Sequence, residues 1–313
     1  MSRAFLGISH TPLLGLNEIP RYVEAALQQT FAEARAQIRE FDPELIVLIA
    51  PDHYNGFFNQ LMPPFCIGSQ ACAIGDYLSP KGNLRVAEET ALDLVDALMD
   101  AGFDIAVSRR MTVDHGFSQP LQLLWGGLET PPVVPVFLNA VAPPGIPRLG
   151  RCRALGEAIG RYLDELPRRT LLIGSGGLSH EPPVPTLEHA DPAVRERITV
   201  PREPTADDME ARKIRVMAAG RALAAGDISV KPLNPDWDQW WMDAIVGPAS
   251  GLDELCRHPE AGIDAVAGRS AHESKSWLIG RAALRPDASH SCLLRYYRAI
   301  PEYIAGFGLV FMR

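Results

Sequence analysis

The chain has no basic tract, no long apolar run and no paired cysteines, and each absence removes a class of function. Its 30 Lys and Arg against 38 Asp and Glu give a formal net charge of −8. With no cluster of like positive charge, nucleic acid is not expected as a partner. No apolar stretch approaches the ~20 residues that a membrane helix needs. The opening MSRAFLGISHTPLLG has neither the apolar core nor the small-residue cleavage site of a secretion signal, so no membrane contact and a cytoplasmic location are expected. The 5 cysteines (Cys66, Cys72, Cys152, Cys256 and Cys292) are odd in number and form no Cys-x-x-Cys pair. A zinc ribbon or a disulfide framework is thereby disfavoured, and thiols kept reduced fit better. The stretch Gly174-Ser175-Gly176-Gly177 lacks the Lys-Ser/Thr of a phosphate-binding loop, which discounts nucleotide binding. Internal repeats and low-complexity tracts are absent too.

What is present is an alternation of apolar runs and helical patterns over 313 residues, 47% of them hydrophobic. Ala4–Ser9, Leu45–Ala50, Phe103–Ser108, Val133–Leu138 and Thr170–Gly174 read as strands. The continuous apolar run Leu45–Ala50 suits a strand covered on both faces. Tyr22–Phe41, Leu84–Ala101, Ala154–Leu163 and Asp208–Ala225 read as helices, with Gly102 placed to stop the second. Strand–helix alternation predicts an α/β fold: a central, mostly parallel or mixed sheet with helices on both faces and a site at the carboxyl ends of the strands. A single catalytic domain spanning 1–313 is expected, with a Pro- and charge-rich excursion around 181–208 that serves as a lid or an oligomer contact.

Five polar residues stand out: His10, His53, His115, His180 and Glu273. His10 closes AFLGISH, His53 follows LIVLIAPD and His180 follows TLLIGSGGLS, so three imidazoles fall just past predicted strands. Pro12 pushes Thr11 out of helical geometry and turns the chain sharply after His10. Asp52 and Asn55 are candidates to orient His53. His115 lies in Asp114-His115-Gly116, where a neighbouring carboxylate can raise an imidazole's pKa. Glu273 starts a helix reaching about Leu284 and shares a face with Trp277 and Gly280; a carboxylate on an apolar face is costly unless paired or metal-bound. His272 points about 100° away on such a helix, too far round to share one ion with Glu273. Taken singly, His10 and His53 read equally as structural residues, His115 more readily as part of a surface Asp-His pair, and Glu273 as a solvated helix start. Together they suggest a metal centre with acid–base groups beside it, and two His plus one carboxylate is how non-haem Fe(II) oxygenases hold iron. The same donors leave a metal-dependent hydrolase open, and the fold alone a binding protein. His189, His258 and His290 read as surface residues. Trp237, Trp240 and Trp241 read as core or subunit interface.

The stretches PELIVLIAPDHYNGFF, MPPFCIGSQACAIGDY, VDHGFSQPL, GSGGLSHEPPVP, PLNPDWD, AGRSAHESKSW and RYYRAIPEYIAGFG resemble the class III extradiol ring-cleaving dioxygenases nearly end to end. That resemblance implies Fe(2+) held by His10, His53 and Glu273, with His115 as proton donor and His180 as proton acceptor. It also implies a catechol and O2 as substrates, with 2,3-dihydroxyphenylpropionate and its cinnamate analogue fitting best, in aromatic catabolism. A homo-oligomer, tetrameric or larger, is expected on the same basis. Arg269, Arg295 and Arg298 are candidates to meet a substrate carboxylate. The residues themselves do not choose between iron and manganese.

Overall fold

In a computed structural model the chain builds an eight-stranded sheet and a small three-stranded one; residues 2–188, 191–285 and 290–313 are described. The strands are β1 (Arg3–Ile8), β2 (Leu45–Ala50), β3 (Phe65–Gly68), β4 (Ala71–Ile74), β5 (Lys81–Asn83), β6 (Ala106–Ser108), β7 (Met111–Val113), β8 (Val133–Leu138), β9 (Thr170–Ser175), β10 (Cys292–Ile300) and β11 (Ala305–Met312). The helices are α1 (Arg21–Phe41), α2 (Glu88–Asp100), α3 (His115–Trp125), α4 (Leu149–Glu165), α5 (Pro192–Thr199), α6 (Ala206–Ala224), α7 (Pro235–Val246), α8 (Ala249–Arg257), α9 (Glu260–Ala267) and α10 (Lys275–Ala283). Among the described residues none of these helices is long and apolar enough to cross a membrane.

The large sheet runs β10-β11-β1-β9-β2-β8-β3-β6 and the small one β5-β4-β7. Its centre, β1, β9, β2 and β8, is parallel, while β11 and β3 join antiparallel. The sheet is therefore mixed, with helices on both faces as expected. Alternating residues of the buried strands feed two cores. Phe5, Val47 and Ile49 pack toward α2, α4, α7 and α10, and Leu6, Ile46 and Leu48 toward α1 and α3. Trp237 and Trp241 are buried and stacked, and Trp240 tilts against His258, so this cluster is core.

Several predicted bounds move for local reasons. The helix expected over Leu84–Ala101 begins only at Glu88, because Arg85 and Ala87 exchange backbone hydrogen bonds with Val133. The strand expected over Phe103–Ser108 shortens to Ala106–Ser108. The helix expected from Asp208 starts at Ala206, where Thr205 and Asp208 form a capping box. The excursion around 181–208 contains α5; His189 lies outside the described residues.

One packing contact sets where the C-terminal part of the site lies. A short 3-10 turn, Arg269–Ser274, leads into α10, which sits directly on β9 and β1 through glycines. A Cβ on Gly174 would stand 2.7 Å from the Ser276 carbonyl oxygen and from Trp277 Cα, and one on Gly176 would stand 2.4 Å from the Glu273 carbonyl oxygen. The glycine-rich stretch therefore admits the protein's own Glu273 segment. Hydrogen bonds lock the contact: Ser276 Oγ donates to the Ser175 carbonyl and Trp277 Nε1 to that of Gly176. Gly174→Ala is expected to overpack this seam and cost about 1–3 kcal/mol, measured by urea unfolding at constant slope. A change below about 0.5 kcal/mol, the usual range for featureless surface sites, would contradict the seam.

Candidate metal centre

The carboxyl ends of β1, β9 and β2 lie side by side because β1 and β2 are both parallel neighbours of β9, so the segments after them meet. His10, His53 and His180 arrive from these three ends, His115 from the start of α3 and Glu273 from the turn before α10. All five line one cavity of about 290 Å³, close to the lower end of ordinary ligand pockets, about 300 Å³.

Every imidazole is held by its Nδ1. His10 Nδ1 donates to Ser175 Oγ at 2.9 Å, and that hydroxyl donates onward to the Gly116 carbonyl at 2.7 Å. His53 Nδ1 and its own backbone N–H both donate to Asp114 Oδ2, at 3.0 and 2.8 Å. His115 does the same with Asp76, backbone N–H to Oδ1 at 2.8 Å and Nδ1 to Oδ2 at 2.7 Å. His180 Nδ1 donates to the Leu178 carbonyl at 2.8 Å. These partners are all acceptors, so they assign the Nδ1–H tautomer and leave four Nε2 atoms for the cavity.

Glu273, 1% exposed, receives three of them. His53 Nε2 lies 3.1 Å from its Oε1, His180 Nε2 3.2 Å from the same oxygen, and His10 Nε2 3.3 Å from Oε2. The backbone N–H of Gly177 donates to Oε2 at 3.0 Å. Burial pushes the Glu273 pKa up, but His180, His10 and the hydrogen bonds from His180 and His53 outweigh it and hold the carboxyl well below its ordinary value. Burial lowers His10 to about 3. In His53, burial is overcome by Asp114 and Glu273, and in His180 by Glu273 and the Leu178 carbonyl, so both are raised. His115 is raised against burial by Asp76 and Asp114. An ionised carboxylate this deeply buried needs positive charge inside the ring of imidazoles, as protons or as a metal ion that displaces them.

The donor set fits a metal ion. Ligand atoms about 2.1 Å from an ion and at right angles lie about 3 Å apart, close to the spacings around Glu273. The Nε2 atoms of His10 and His115 are buried without a hydrogen-bond partner. The ligand atoms of His10, His53 and His115 lie within 4.8 Å of one another, as do those of Asp76, Asp114 and His115, and Glu273 sets carboxylate oxygens 3.3 Å from His10 and 3.1 Å from His53.

The five residues singled out in the sequence line one cavity, and some of their supports differ from those expected. His115 is the first residue of α3. Asp114 orients His53 and caps α3 by accepting from the Gly116 N–H at 2.9 Å; it does not hold the His115 ring. That partner is Asp76, about 40 positions earlier in Gly75-Asp76-Tyr77, with only its polarity beside a glycine as a signal. Asp52 turns to the backbone of Asn55, Gly56 and Phe57, and Asn55 Nδ2 donates to Asp114 at 2.9 Å. His272 faces away and meets Asp264. None of Arg269, Arg295 and Arg298 lines the cavity. Arg269 pairs with Glu181, Arg295 with Asp243, and Arg298 stacks over Tyr22.

The sequence profile described as the catalytic LigB subunit of aromatic ring-opening dioxygenase matches residues 4–308. The 2,3-dihydroxyphenylpropionate/2,3-dihydroxicinnamic acid 1,2-dioxygenase of Comamonas testosteroni is 65% identical over 312 residues, covering 99% of this chain and 96% of that protein. Proteins of the same description from Klebsiella pneumoniae and Rhodococcus globerulus are 48% and 44% identical, over 96% and 99% of this chain and 95% and 98% of theirs. The crystal structure of an uncharacterized Escherichia coli K12 protein superposes with a TM-score of 0.53 at 12% identity, covering 99% of this chain and 98% of that one. The likeness is one of fold alone.

Asp114 is fully buried and holds three donors besides the α3 cap. Asp114→Ala is expected to cost about 3 kcal/mol or more, because it removes a helix cap and leaves buried donors and charge unpaired. Thermal and urea unfolding measure it. A loss under about 1 kcal/mol, typical of an exposed pair, would mean that this carboxylate does not organise the floor.

Proposed function

The chain belongs to the LigB family of aromatic ring-opening dioxygenases, and from that membership we propose that it opens the ring of 2,3-dihydroxyphenylpropionate, and of 2,3-dihydroxycinnamate, with O2. The products would be 2-hydroxy-6-oxonona-2,4-dienedioate and its triene analogue. The observation that carries the reading is the buried Glu273 carboxylate ringed by three imidazole Nε2 atoms at the floor of a ligand-sized cavity. We assign His10, His53 and Glu273 as metal ligands. Two imidazoles and one carboxylate with positions left open suit Fe(2+). Bound there, iron would bring catechol and O2 together and lower the pKa of the catechol hydroxyl.

His180 and His115 serve as the acid–base pair in this reading. His180 keeps its Nδ1 proton on the Leu178 carbonyl, so it takes a proton at Nε2, the atom that faces the floor. A ligating metal would neutralise Glu273 and leave His180 unprotonated and ready to accept. His115 is held by Asp76 on its other nitrogen, and that carboxylate favours the imidazolium, so His115 holds a proton at Nε2 for donation. Its ring stacks on His53, centroids 4.7 Å apart, with Tyr77 edge-on at 5.1 Å, which fixes where the proton is delivered. Pro182, Pro183, Val184 and Ile198 line the cavity and limit water beside the site. In this reading residues 1–313 act as one catalytic domain with the 181–208 excursion as its lid. A reducing cytoplasm would keep the ion ferrous, and a homo-oligomer remains the expected assembly. A metal-dependent hydrolase gains no support from the family or its relatives.

Anaerobic loading with Fe(2+), then O2 uptake and a yellow ring-opened product on adding 2,3-dihydroxyphenylpropionate, is the direct test. Ala at His10, His53 or Glu273 is expected to abolish iron retention and turnover together. His115→Ala, His180→Ala and Asp76→Asn are expected to keep iron and lose turnover, the two histidines by about 10²- to 10⁴-fold. Full iron content in all three ligand variants, or iron loss on changing His115 or His180, would falsify the partition.

A further inference from the structure

The roof of the cavity is cationic in a chain whose formal net charge is −8. Arg197 of α5 and Arg212, Lys213 and Arg215 of α6 line the same cavity as the four imidazoles and Glu273. Lys213 is balanced by Glu210 one turn earlier, and Arg202 outside the cavity by Asp208. Among the described residues no carboxylate lies within 4.0 Å of the guanidinium nitrogens of Arg197, Arg212 or Arg215. Arg212 and Arg215 bear on Arg197: burial first, then these two and Arg202, hold its pKa below the ordinary value. Arg212 is also tied to the floor. Its Nη1 donates to Asn55 Oδ1 at 3.1 Å, and Asn55 Nδ2 donates to Asp114, the carboxylate that orients His53.

Three guanidiniums gathered over one cavity without a carboxylate partner repel one another, and an anion placed between them removes that cost. The planar fork of each arginine suits a carboxylate in particular. Apolar side chains line the cavity as well, with Val184, Ile198, Met209 and Val216 among them. One cavity thus offers metal-binding and acid–base groups, apolar side chains and a cluster of guanidiniums. A catechol with a short hydrocarbon chain ending in a carboxylate presents the same three chemistries.

We propose that Arg197, Arg212 and Arg215 form the subsite for the side-chain carboxylate of the substrate and so set the preference for acidic catechols. This rests on the ring-cleavage reading above. Arg197 and Arg212, both half-buried, carry most of the interaction, and the exposed Arg215 stands at the mouth.

The test compares 2,3-dihydroxyphenylpropionate with 3-propylcatechol, which has the same chain length and no carboxylate, on the iron-loaded full-length enzyme. Arg197→Met is expected to lower kcat/KM for the acid ten- to hundredfold, as for loss of a charge-assisted hydrogen bond, while 3-propylcatechol stays within about threefold. Arg215→Met should lose about threefold on the acid, as exposed pairs do. Competitive inhibition by 3-phenylpropionate, which cannot react, should weaken in the same order, and Arg197→Lys should recover part of the loss. Equal losses on both substrates from Arg197→Met would show that the roof arginines support the lid and would overturn the subsite, as would no loss on the acid. Wild type that opens both rings with equal efficiency overturns the subsite and leaves ring cleavage standing. Wild type that opens neither ring overturns the ring-cleavage reading and the subsite with it.

Discussion

An ionised carboxylate removed from water is among the most expensive things a fold can contain, and Glu273 is 1% exposed. Everything around it answers that cost. Three imidazole Nε2 atoms and one backbone N–H converge on its two oxygens, and each imidazole is held from behind by an acceptor that fixes its tautomer. The parallel strands β1, β2 and β9 deliver three of the histidines to one edge of the sheet. The glycine seam under α10 delivers the carboxylate to the same edge. Removing either side leaves the other without a partner.

The second ring of the site decides what each imidazole can do. Asp114 pulls His53 into place and caps α3, so the position of His53 and the start of the helix bearing His115 depend on one buried side chain. Asp76 holds the His115 ring, Ser175 links His10 to Gly116, and the Leu178 carbonyl holds His180. Neutral acceptors behind His10 and His180, against carboxylates behind His53 and His115, set the rings apart electrostatically, although all four present the same atom to the cavity.

Much of this was legible in the sequence, for a physical reason. Strands buried on both faces must be apolar throughout, so β2, β8 and β9 announced themselves, and polar residues just past them stood out. Parallel strands put their carboxyl ends together, so His10, His53 and His180 were expected to meet. The short strands β3 to β5 and β7, and the partly exposed β10, carry too few or too mixed residues to show a period. Asp76 was invisible because its partner lies across the fold. The roof arginines were missed because a charged stretch on a weakly amphipathic helix reads as a solvated face. Position in sequence favoured Arg269, Arg295 and Arg298, which the fold spends on other partners.

The central claim is that Glu273, with His10 and His53, holds the metal while His115 stands beside it as an acid. X-ray absorption at the iron edge of the anaerobically loaded enzyme distinguishes this from a three-histidine site, because imidazole rings give a multiple-scattering signature that counts them. The account predicts two imidazoles and one carboxylate in the wild-type enzyme, with the same spectrum in His115→Ala. Three imidazoles in the wild type, falling to two in His115→Ala, would contradict it.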